Sequence, residues 1–413
     1  MKEFDIIIAG GGMVGATAAL ALAQLEMNIA LVEPIEPTLD ISPSYDQRAV
    51  ALSAASVAIY KSLNLWDQIQ PLASPITDIH ISDQGNFGFT RINAKDCKVD
   101  ALGQVIPLDQ TGPILWQSIR SIKNITLFCP AKISAIKSSE ELGDPIEIIL
   151  IDNQKKQHLL SAKLLLAADG TYSSVAKMSS IETTRNSYRQ HAVIANITTE
   201  KAHNNRAFER FTQQGPLALL PLKRKSMSLV WCQNEENIDN VMNYSDDEFI
   251  QQLQLAFGYR LGQITKVGQR CEYPLALHTC HQPFKQRVLL LGNAAHTLHP
   301  IAGQGFNLGL RDIAALVDAI VKAKTHSHNL DYGQVSFLAE YLQQRQADWK
   351  LTIGATDSLV KLFSYDFFLL TLARDKGLCL LDKIPFLKQK VASMAMGFNG
   401  HSANLTRGIK INH

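Results

Sequence analysis

The sequence predicts an α/β fold, in which a Rossmann-type nucleotide-binding domain is interrupted by an antiparallel β-sheet domain and followed by C-terminal helices. Three observations support this prediction. A short apolar run enters a glycine-rich turn and an Ala-rich helix at the N-terminus. Blocks of alternating apolar residues then replace the expected strand–helix repeats, and the last part of the chain is apolar with helical periodicity. With 413 residues the chain is long enough for about two or three domains.

The first strand and helix form a dinucleotide-binding pattern. Residues 4–9 read as a buried strand and lead into Gly10-Gly11-Gly12-Met13-Val14-Gly15. Gly10 permits the tight turn, Gly12 lets a pyrophosphate approach the backbone, and Gly15 lets the helix pack against the strand. The unpaired N–H groups of the first helical turn, which includes Met13 and Val14, then face the phosphates.

The next strand ends in an acidic residue at the spacing that a ribose site requires. Residues 29–32 are apolar and are followed by Glu33, 18 positions after Gly15. A carboxylate there accepts hydrogen bonds from both ribose hydroxyls, and its charge repels a 2′-phosphate. The N-terminal unit therefore predicts a site for FAD or NAD rather than NADP.

A Pro-rich loop separates this unit from a segment that contains Arg48. Residues 34–43 predict a loop, and residues 45–52 predict the beginning of an amphipathic helix with Arg48 near its start. Arg48 either forms a surface salt bridge or clamps the phosphates of the cofactor, for which a guanidinium is well suited. The sequence leaves both interpretations open.

The antiparallel domain is predicted from short alternating runs. Residues 75–92 alternate around a turn at 83–86, as in a β-hairpin, and further strands are predicted at 191–197, 206–211, 217–222 and 226–232. We therefore assign residues 1–74, 98–180 and 275–345 to the nucleotide-binding domain and residues 75–97 and 181–274 to the sheet domain. Residues 346–413 form a C-terminal helical segment.

Two later junctions repeat the strand-to-glycine pattern of the N-terminus. The apolar run 163–168 ends at Asp169-Gly170, which also reads as an ordinary turn. The run 288–291 ends at Gly292-Asn293 and continues through Pro300 to Gly303-Gln304-Gly305 and a helix that carries Asn307. We expect the three junctions at one carboxyl edge of a parallel sheet, where open α/β folds bind ligands.

Taken in order, these motifs resemble the three fingerprints of single-component, FAD-dependent aromatic hydroxylases. They are Gly10-x-Gly12-x-x-Gly15 with Glu33, Asp169-Gly170-x-x-Ser173, and Gly292-Asn293 through Pro300-x-x-Gly303-Gln304-Gly305-x-Asn307. Within that family, stretches such as 46–53, 101–108 and 207–222 are similar to the ubiquinone-biosynthesis hydroxylases. The similarity is greatest to the branch that acts on 2-polyprenyl-6-methoxyphenol.

The resemblance implies a fold and a reaction. The fold would be a glutathione-reductase-like FAD domain with an inserted β-sheet substrate domain. NAD(P)H would reduce the flavin without a second Rossmann domain. The reduced flavin would then react with O2 to form a C4a-hydroperoxide, which hydroxylates the phenol ring. The alternatives are a sister hydroxylase acting at another ring position, a flavin-dependent prenyl reductase, and a non-catalytic flavoprotein scaffold of the biosynthetic assembly.

The resemblance also implies the cofactor contacts. Gly10, Gly12, Gly15 and Glu33 would hold the ADP half, Arg48 and Gln104 would lie along the pyrophosphate and ribityl chain, and Asp169 and Gly170 would lie between FAD and the nicotinamide entry. Two residues depart from the fingerprints: Ala176 replaces the usual Arg, and Asn293 replaces the usual Asp. The first departure weakens the expected NADPH contacts. Asn293 still offers the ribityl chain hydrogen bonds, without a charge.

No catalytic acid or base is assigned from the sequence. A phenol ionises near pH ~10, so a proton acceptor or hydrogen-bond donor would assist the reaction. His191, His278 and Tyr188 are candidates by residue type only, and structural roles explain them as well. His296 and His299 are likewise explained by packing. Cys271, His278, Cys280 and His281 do not match the usual zinc spacings, and no metal is expected.

Composition restricts partners and location. The formal net charge is +2, which gives no reason to expect a nucleic-acid partner. Six scattered cysteines and the lack of a signal peptide predict a reduced, cytoplasmic protein. In the C-terminal part, Lys383, Lys388 and Lys390 flank apolar residues. These helices either close over the two domains or lie at a lipid interface, as a peripheral contact with the inner face of the plasma membrane or with a multi-enzyme assembly.

Overall fold

The computed structural model describes residues 1–37, 48–137, 143–326, 331–364, 368–398 and 403–411. Both strands and helices occur in these ranges. The strands are β1 (Lys2–Ala9), β2 (Ile29–Val32), β3 (Ala49–Ser53), β4 (Ser74–Ile76), β5 (Asp78–Asp83), β6 (Phe89–Asn93), β7 (Gly103–Pro107), β8 (Ile125–Phe128), β9 (Ala131–Lys137), β10 (Ile146–Asp152), β11 (Gln157–Ala167), β12 (Thr184–Thr199), β13 (Arg206–Thr212), β14 (Gly215–Pro221), β15 (Ser226–Asn234), β16 (Ile264–Val267), β17 (Cys271–Thr279), β18 (Phe284–Lys285), β19 (Val288–Leu290) and β20 (His296–Thr297). The helices are α1 (Met13–Ala23), α2 (Ala54–Ser62), α3 (Trp66–Ile69), α4 (Leu108–Ser121), α5 (Ser174–Met178), α6 (Ile238–Asn243), α7 (Asp246–Phe257), α8 (Gln304–His326), α9 (Val335–Ser364), α10 (Phe368–Lys383) and α11 (Pro385–Ala395).

The first sheet is the nucleotide-binding sheet. Its order is β18-β19-β11-β1-β2-β8, in which β19, β11, β1, β2 and β8 are parallel to one another, β18 is antiparallel to β19, and β10 and β9 form an antiparallel extension. Ile6, Ile7 and Ile8 of the central strand are fully buried because helices and extension strands cover both faces. Since β1, β11 and β19 are adjacent and parallel, the three strand-to-glycine junctions do lie at one carboxyl edge, as predicted.

The second sheet carries the substrate-domain strands. Its order is β20-β17-β12-β15-β14-β13-β5-β6, and β16 pairs with β12. The predicted hairpin (β5 and β6) and the predicted strands β12 to β15 are confirmed. One pair differs from a purely antiparallel sheet, because β5 joins β13 in parallel and so connects the first inserted segment to the second. One face of this sheet packs against α7 in a core that includes Phe208, Trp231 and Phe249.

A small third sheet consists of β3, β7 and β4 and packs against Ala207 and Leu220 of the substrate sheet, and it corrects one prediction. The segment around Arg48 was expected to be helical, but residues 49–53 form β3 and pair with β7 from Gly103 to Pro107. The helix α2 begins only at Ala54, where the Ser53 side chain accepts a hydrogen bond from the Ser56 N–H as an N-cap. Residues 38–47, which include most of the predicted Pro-rich loop, lie outside the described residues.

The C-terminal part is helical, as predicted. Helices α8 and α9 are joined by a buried ionic network in which Arg311 and Arg345 contact Asp348, and Arg345 also contacts Asp312. Helix α10 packs on β6, and α11 follows it. None of the described helices is both long and apolar enough to cross a membrane.

Candidate functional site

The N-terminal glycines build an anion-binding turn. Gly10 has φ +96°, and a Cβ there would overlap the backbone of Ala168 and Asp169. A Cβ on Gly15 would overlap the carbonyl oxygen of Gly10, whereas a Cβ on Gly12 would meet no described atom within 4 Å. Helix α1 has no side-chain cap and no acidic residue in its first turn. Its first N–H groups, at Met13 and Val14, are therefore available to a phosphate.

Glu33 lies beside this turn and lines a cavity of about 330 Å³, called here the first cavity. Its carboxylate accepts hydrogen bonds from the Gly11 N–H at 2.6 Å and from the Ile35 N–H at 2.9 Å. These two bonds fix the carboxylate and leave it further lone pairs. The first cavity also holds Gly12 and Met13, so it has the form and the donors that the ADP half of a dinucleotide requires.

Trp116 of α4 is a wall of the first cavity that sequence reasoning missed. Its Nε1 donates to the Gly11 carbonyl oxygen at 3.0 Å. Its ring lies so close to Gly11 that a Cβ at Gly11 would overlap it. A tryptophan in an amphipathic helix usually belongs to the core, so its position in the sequence is at most a weak signal for a cavity wall.

Asp169 and Gly170 lie at the second junction, next to Gly10. Gly170 has φ +85°. Asp169 Oδ2 accepts hydrogen bonds from the Ser174 and Val175 N–H groups and so holds the start of α5. The departure at Ala176 has a structural explanation, because this side chain is 4% exposed and packs in the core behind the parallel sheet. An arginine could not occupy that position without displacing the core.

At the third junction, Gly292 and Asn293 follow β19. Gly292 has φ +57° and packs against Val14 of α1, which brings the first and third motifs together. Asn293 is exposed. Its backbone oxygen accepts a hydrogen bond from the Thr297 hydroxyl, which ties this junction to β20.

Residues 292–305, called here the 292–305 loop, then cross to the small sheet. Pro300 precedes a 3-10 turn, Gly303 has φ +61° and approaches Ala51 of β3, and Gln304 begins α8. A Cβ on Gly305 would make only ordinary contacts, with Leu298.

Asn307 is fully engaged by the protein. Its Oδ1 accepts from the Ser53 N–H and the Ser56 hydroxyl, and its Nδ2 donates to the carbonyl oxygens of Ala51 and Gly303. All four hydrogen-bonding positions of the amide are used. Asn307 therefore positions α8 and the 292–305 loop against β3.

Arg48 and Gln104 lie on the small sheet. The Arg48 guanidinium is 5.5 Å from the ring centre of Tyr273, which belongs to the substrate sheet. Gln104 of β7 pairs with Leu52 on one side and Pro75 on the other. Arg48 thus lies beside the substrate sheet, and its carbonyl oxygen accepts a hydrogen bond from the N–H of Leu108, a residue that lines the first cavity.

The histidine and tyrosine candidates have structural surroundings. His191 shares a strand face with Val193, which packs in the core beneath α7. Burial and nearby Arg185 lower the pKa of His278, and burial lowers that of His299 to about 4, so both are neutral at pH 7. Burial, reinforced by Asp357, raises the pKa of Tyr188, whose hydroxyl donates to that carboxylate.

His296 and the cysteines considered as zinc ligands also have structural surroundings. Burial lowers the pKa of His296, whose ring centre is 4.5 Å from that of Trp349. Cys271 and Cys280 lie at opposite ends of β17 and its continuation. Among the described residues, no group of three His, Cys, Asp or Glu side chains is placed to hold a metal ion.

A second cavity, of about 70 Å³, lies where the 292–305 loop, the small sheet and the substrate sheet meet. Ser53, Gly103, Gln304 and Leu220 contribute to its walls. Glu209 of β13 also lines this second cavity, and sequence reasoning did not single it out. Among the described residues that line the second cavity, Glu209 is the one with an ionisable side chain, and the fold alone gives no reason for it.

Comparison with known proteins identifies the family. The sequence model of the FAD binding domain family matches residues 3–347. The chain belongs to the FAD-dependent aromatic hydroxylases. This hydroxylase is 31% identical over 396 residues to ubiquinone hydroxylase UbiL of Rhodospirillum rubrum, covering 96% of this chain and 90% of the relative. It is 30% identical to the 3-demethoxyubiquinol 3-hydroxylase of Escherichia coli, covering 95% of this chain and 98% of that protein.

Solved structures agree on the fold of the hydroxylase. The p-nitrophenol 4-monooxygenase of Pseudomonas putida superposes with a TM-score of 0.78 at 17% identity, over 98% of this chain and 100% of the other. The predicted fold class is confirmed. FAD is the cofactor, and NAD(P)H is the co-substrate typical of the family. The open space at Gly12, the uncapped start of α1 and the fixed Glu33 carboxylate fit FAD.

Proposed function

We propose that this hydroxylase adds an oxygen atom to the ring of a polyprenyl methoxyphenol during ubiquinone biosynthesis, using NAD(P)H and O2. The observation that carries the proposal is the second cavity, which lies between the 292–305 loop and the substrate sheet. The substrate class is inferred from relatives that are named for ubiquinone hydroxylation and match nearly the whole chain. The ring position follows the similarity of stretches such as 207–222 to the 6-methoxyphenol branch.

We assign the cofactor contacts by part of the FAD molecule. The backbone of Gly10, Gly12, Met13, Val14 and Gly15 would hold the pyrophosphate, and Glu33 the adenosine ribose. The remaining part of the FAD molecule, beyond the adenosine and the glycine turn, would be contacted by Arg48, Gln104, Asp169, Gly170, Gly292 and Asn293. Pro300, Gly303, Gln304 and Gly305 would border the flavin ring, with Asn307 holding them in place.

Bound FAD, once reduced by NAD(P)H, supplies the activated oxygen. The protein contributes position and electrostatics. The N-terminus of α8 begins at Gln304, and a helix N-terminus favours negative charge. It would therefore stabilise the negative charge on the reduced flavin.

Isotope labelling tests the proposal. The flavin-loaded protein is supplied with NADPH, 18O2 and a short-tailed 2-prenyl-6-methoxyphenol, and the products are analysed by mass spectrometry and NMR. We expect one 18O atom in a new ring hydroxyl. Label at another ring position would assign the protein to a sister reaction, and NADPH consumption with saturation of the tail would indicate a prenyl reductase. Flavin binding with neither product would indicate a non-catalytic scaffold and contradict the proposal.

A further inference from the structure

We infer that Glu209 is the catalytic residue that accepts the proton of the substrate hydroxyl. The inference rests on the proposed function, because it assumes a phenolic ring in the second cavity. It adds a residue for which neither a sequence motif nor a relative's name gives a role.

The strand places this carboxyl group on the cavity side. Side chains of β13 alternate, so Ala207, Glu209 and Phe211 share one face and Phe208 lies on the other. Phe208 packs against Phe257 in the core beneath α7. Ala207 packs against residues of the small sheet, including Ala51. Glu209 therefore faces the small sheet and the 292–305 loop.

One carboxylate oxygen of Glu209, Oε1, is buried without a described partner. Among the described residues, its Oε1 is out of contact with solvent and makes no hydrogen bond. On the two neighbouring strands it is opposite Ala218 and Ile81, neither of which is polar. Of the described side chains that line the second cavity, Glu209 is the one that ionises. A structural carboxylate would be expected to have a cation or several donors beside it.

Glu209 acts electrostatically on a buried thiol. Cys232 of β15 is buried, and burial together with the Glu209 charge raises its pKa well above the usual value, so it stays neutral. The polar neighbours Ser53 and Asn307 are not ionisable, and Asn307 is saturated by backbone and side-chain partners. The charge state of the second cavity is therefore set by Glu209.

Burial raises the pKa of Glu209 to about 8. A base is most effective when its pKa is near the working pH, and a pKa of about 8 also brings the carboxyl closer to a phenol, whose pKa is ~10. In the proposed step the phenol O–H bond breaks and an O–H bond forms on the Glu209 carboxylate. The electron pair that stays on the phenol oxygen is delocalised into the ring, which makes a ring carbon more nucleophilic toward the activated oxygen.

The second cavity must widen to admit a ring. Its volume of about 70 Å³ is roughly half of the ~150 Å³ that holds benzene in an engineered apolar cavity. Ala395 of α11 forms part of the wall, and Ala392 and Met396 of the same segment pack with Ile92 of β6. Movement of α11 would thus open the site from the side of the C-terminal segment.

The test compares Glu209→Gln, Glu209→Asp and Glu272→Gln in the flavin-loaded enzyme. Glu272 provides a matched control because it lies on β17 of the same sheet with its side chain 42% exposed. We expect the wild-type kcat/KM for hydroxylation to rise with pH through about 8. In Glu209→Gln this rise should vanish and the rate should fall by about 10²-fold or more, with NADPH consumption diverted to hydrogen peroxide. Glu209→Asp should keep part of the pH dependence, and Glu272→Gln all of it.

A series of phenols with different pKa values distinguishes a catalytic base at position 209 from a structural residue. If Glu209 accepts the proton, the loss caused by Glu209→Gln should shrink as electron-withdrawing substituents lower the phenol pKa. An equal loss for every phenol, or an unchanged pH profile, would overturn the inference. If the wild type itself hydroxylates no phenol, the proposed function fails instead, so the two failures are distinct.

Stability provides a readout that does not need the substrate. The folded chain retains the Glu209 proton up to about pH 8, whereas the unfolded chain loses it above about pH 4.5. The carboxyl therefore destabilises the fold increasingly between those two values. Glu209→Gln should unfold at nearly the wild-type Tm at pH 4.5 and a few degrees above it at pH 8. A variant that is less stable than wild type at pH 8 would indicate a structural carboxylate and contradict the inference.

Discussion

At the scale of single residues, the cofactor site depends on groups whose geometry is fixed before any ligand binds. Glu33 is held by two backbone N–H groups, and Gly15 is required by the close approach of α1 to β1. Such preorganisation reduces the cost of ordering the site on binding. These residues were predictable from sequence because their spacing is local and their chemistry is specific.

Glu33→Gln should weaken FAD binding by about tenfold. The amide keeps the size of the side chain but removes the charge, and hydrogen bonds to a charged group contribute about 1.5–3 kcal/mol, against 1.4 kcal/mol for each factor of ten. Flavin fluorescence during titration of the apoprotein measures the Kd. Glu36→Gln is the matched control, since Glu36 follows closely in the chain and its side chain is 64% exposed. Equal affinities for the two variants would contradict the role of Glu33.

Other site residues could not be predicted, for physical reasons that differ. Trp116 reaches the first cavity only because α4 packs beside α1, a contact between distant segments. Glu209 is one of three charged residues in its strand, and which of them faces a cavity depends on what packs against the sheet. Neither residue belongs to a motif, so only the fold reveals its position.

At the scale of elements, local patterns predicted strands and helices where one face is clearly apolar, and failed around Arg48. Residues 49–53 alternate weakly, and their strand conformation depends on β7, which lies more than 50 residues later. Pairing with a distant strand overrode the helical tendency of an Ala-containing segment. The domain bounds assigned from sequence stay predictions. Strands β17 and β20 connect the later part of the chain to the substrate sheet.

The α8–α9 connection should depend on its buried ionic network. Asp312 accepts hydrogen bonds from Arg345 and Trp349, both at 2.7 Å, and the Trp349 ring contacts His296 of the 292–305 loop. Asp312→Asn leaves a buried guanidinium with one charge partner fewer, so we expect a loss of about 3 kcal/mol in the free energy of unfolding. Chemical denaturation of the apoprotein measures it.

The control for that experiment is an exposed ion pair that joins the same two helices. Lys322 of α8 contacts Glu340 of α9 at 3.0 Å, with both side chains more than half exposed. Exposed pairs contribute little because water screens them, so Glu340→Gln should change the free energy of unfolding by less than about 1 kcal/mol. Similar losses for the two variants would show that burial does not strengthen the network.

At the scale of the whole molecule, the small sheet, the substrate sheet and the 292–305 loop enclose the second cavity, and α11 of the C-terminal helices contributes to its wall. Ala395 of α11 lines the second cavity, while the preceding part of α11 is exposed. A polyprenyl tail is too long to be enclosed in so small a space. We therefore propose that the tail leaves the second cavity toward α10 and α11. The C-terminal segment would then both cover the cavity and form the entrance for the substrate.

These helices should bind anionic membranes. Phe386 is 71% exposed and Leu380 is 55% exposed, and Lys383 and Lys390 are exposed beside them, whereas Lys388 pairs with Asp382. Exposed apolar side chains next to lysines match a lipid interface with negative headgroups. We expect the protein to sediment with vesicles that contain phosphatidylserine or phosphatidylglycerol more than with neutral vesicles, and less so as salt increases.

Phe386→Ser should weaken this vesicle binding severalfold, because it removes a large apolar side chain from the proposed contact. Leu255→Ser is the matched control, since Leu255 is 69% exposed on α7, behind the opposite face of the substrate sheet. If both variants reduce binding equally, attachment is a general property of exposed apolar residues and the orientation proposed here is wrong. If only Phe386→Ser reduces it, the second cavity opens toward the membrane that holds the prenylated substrate, and hydroxylation of long-tailed phenols should fall more than that of short-tailed ones.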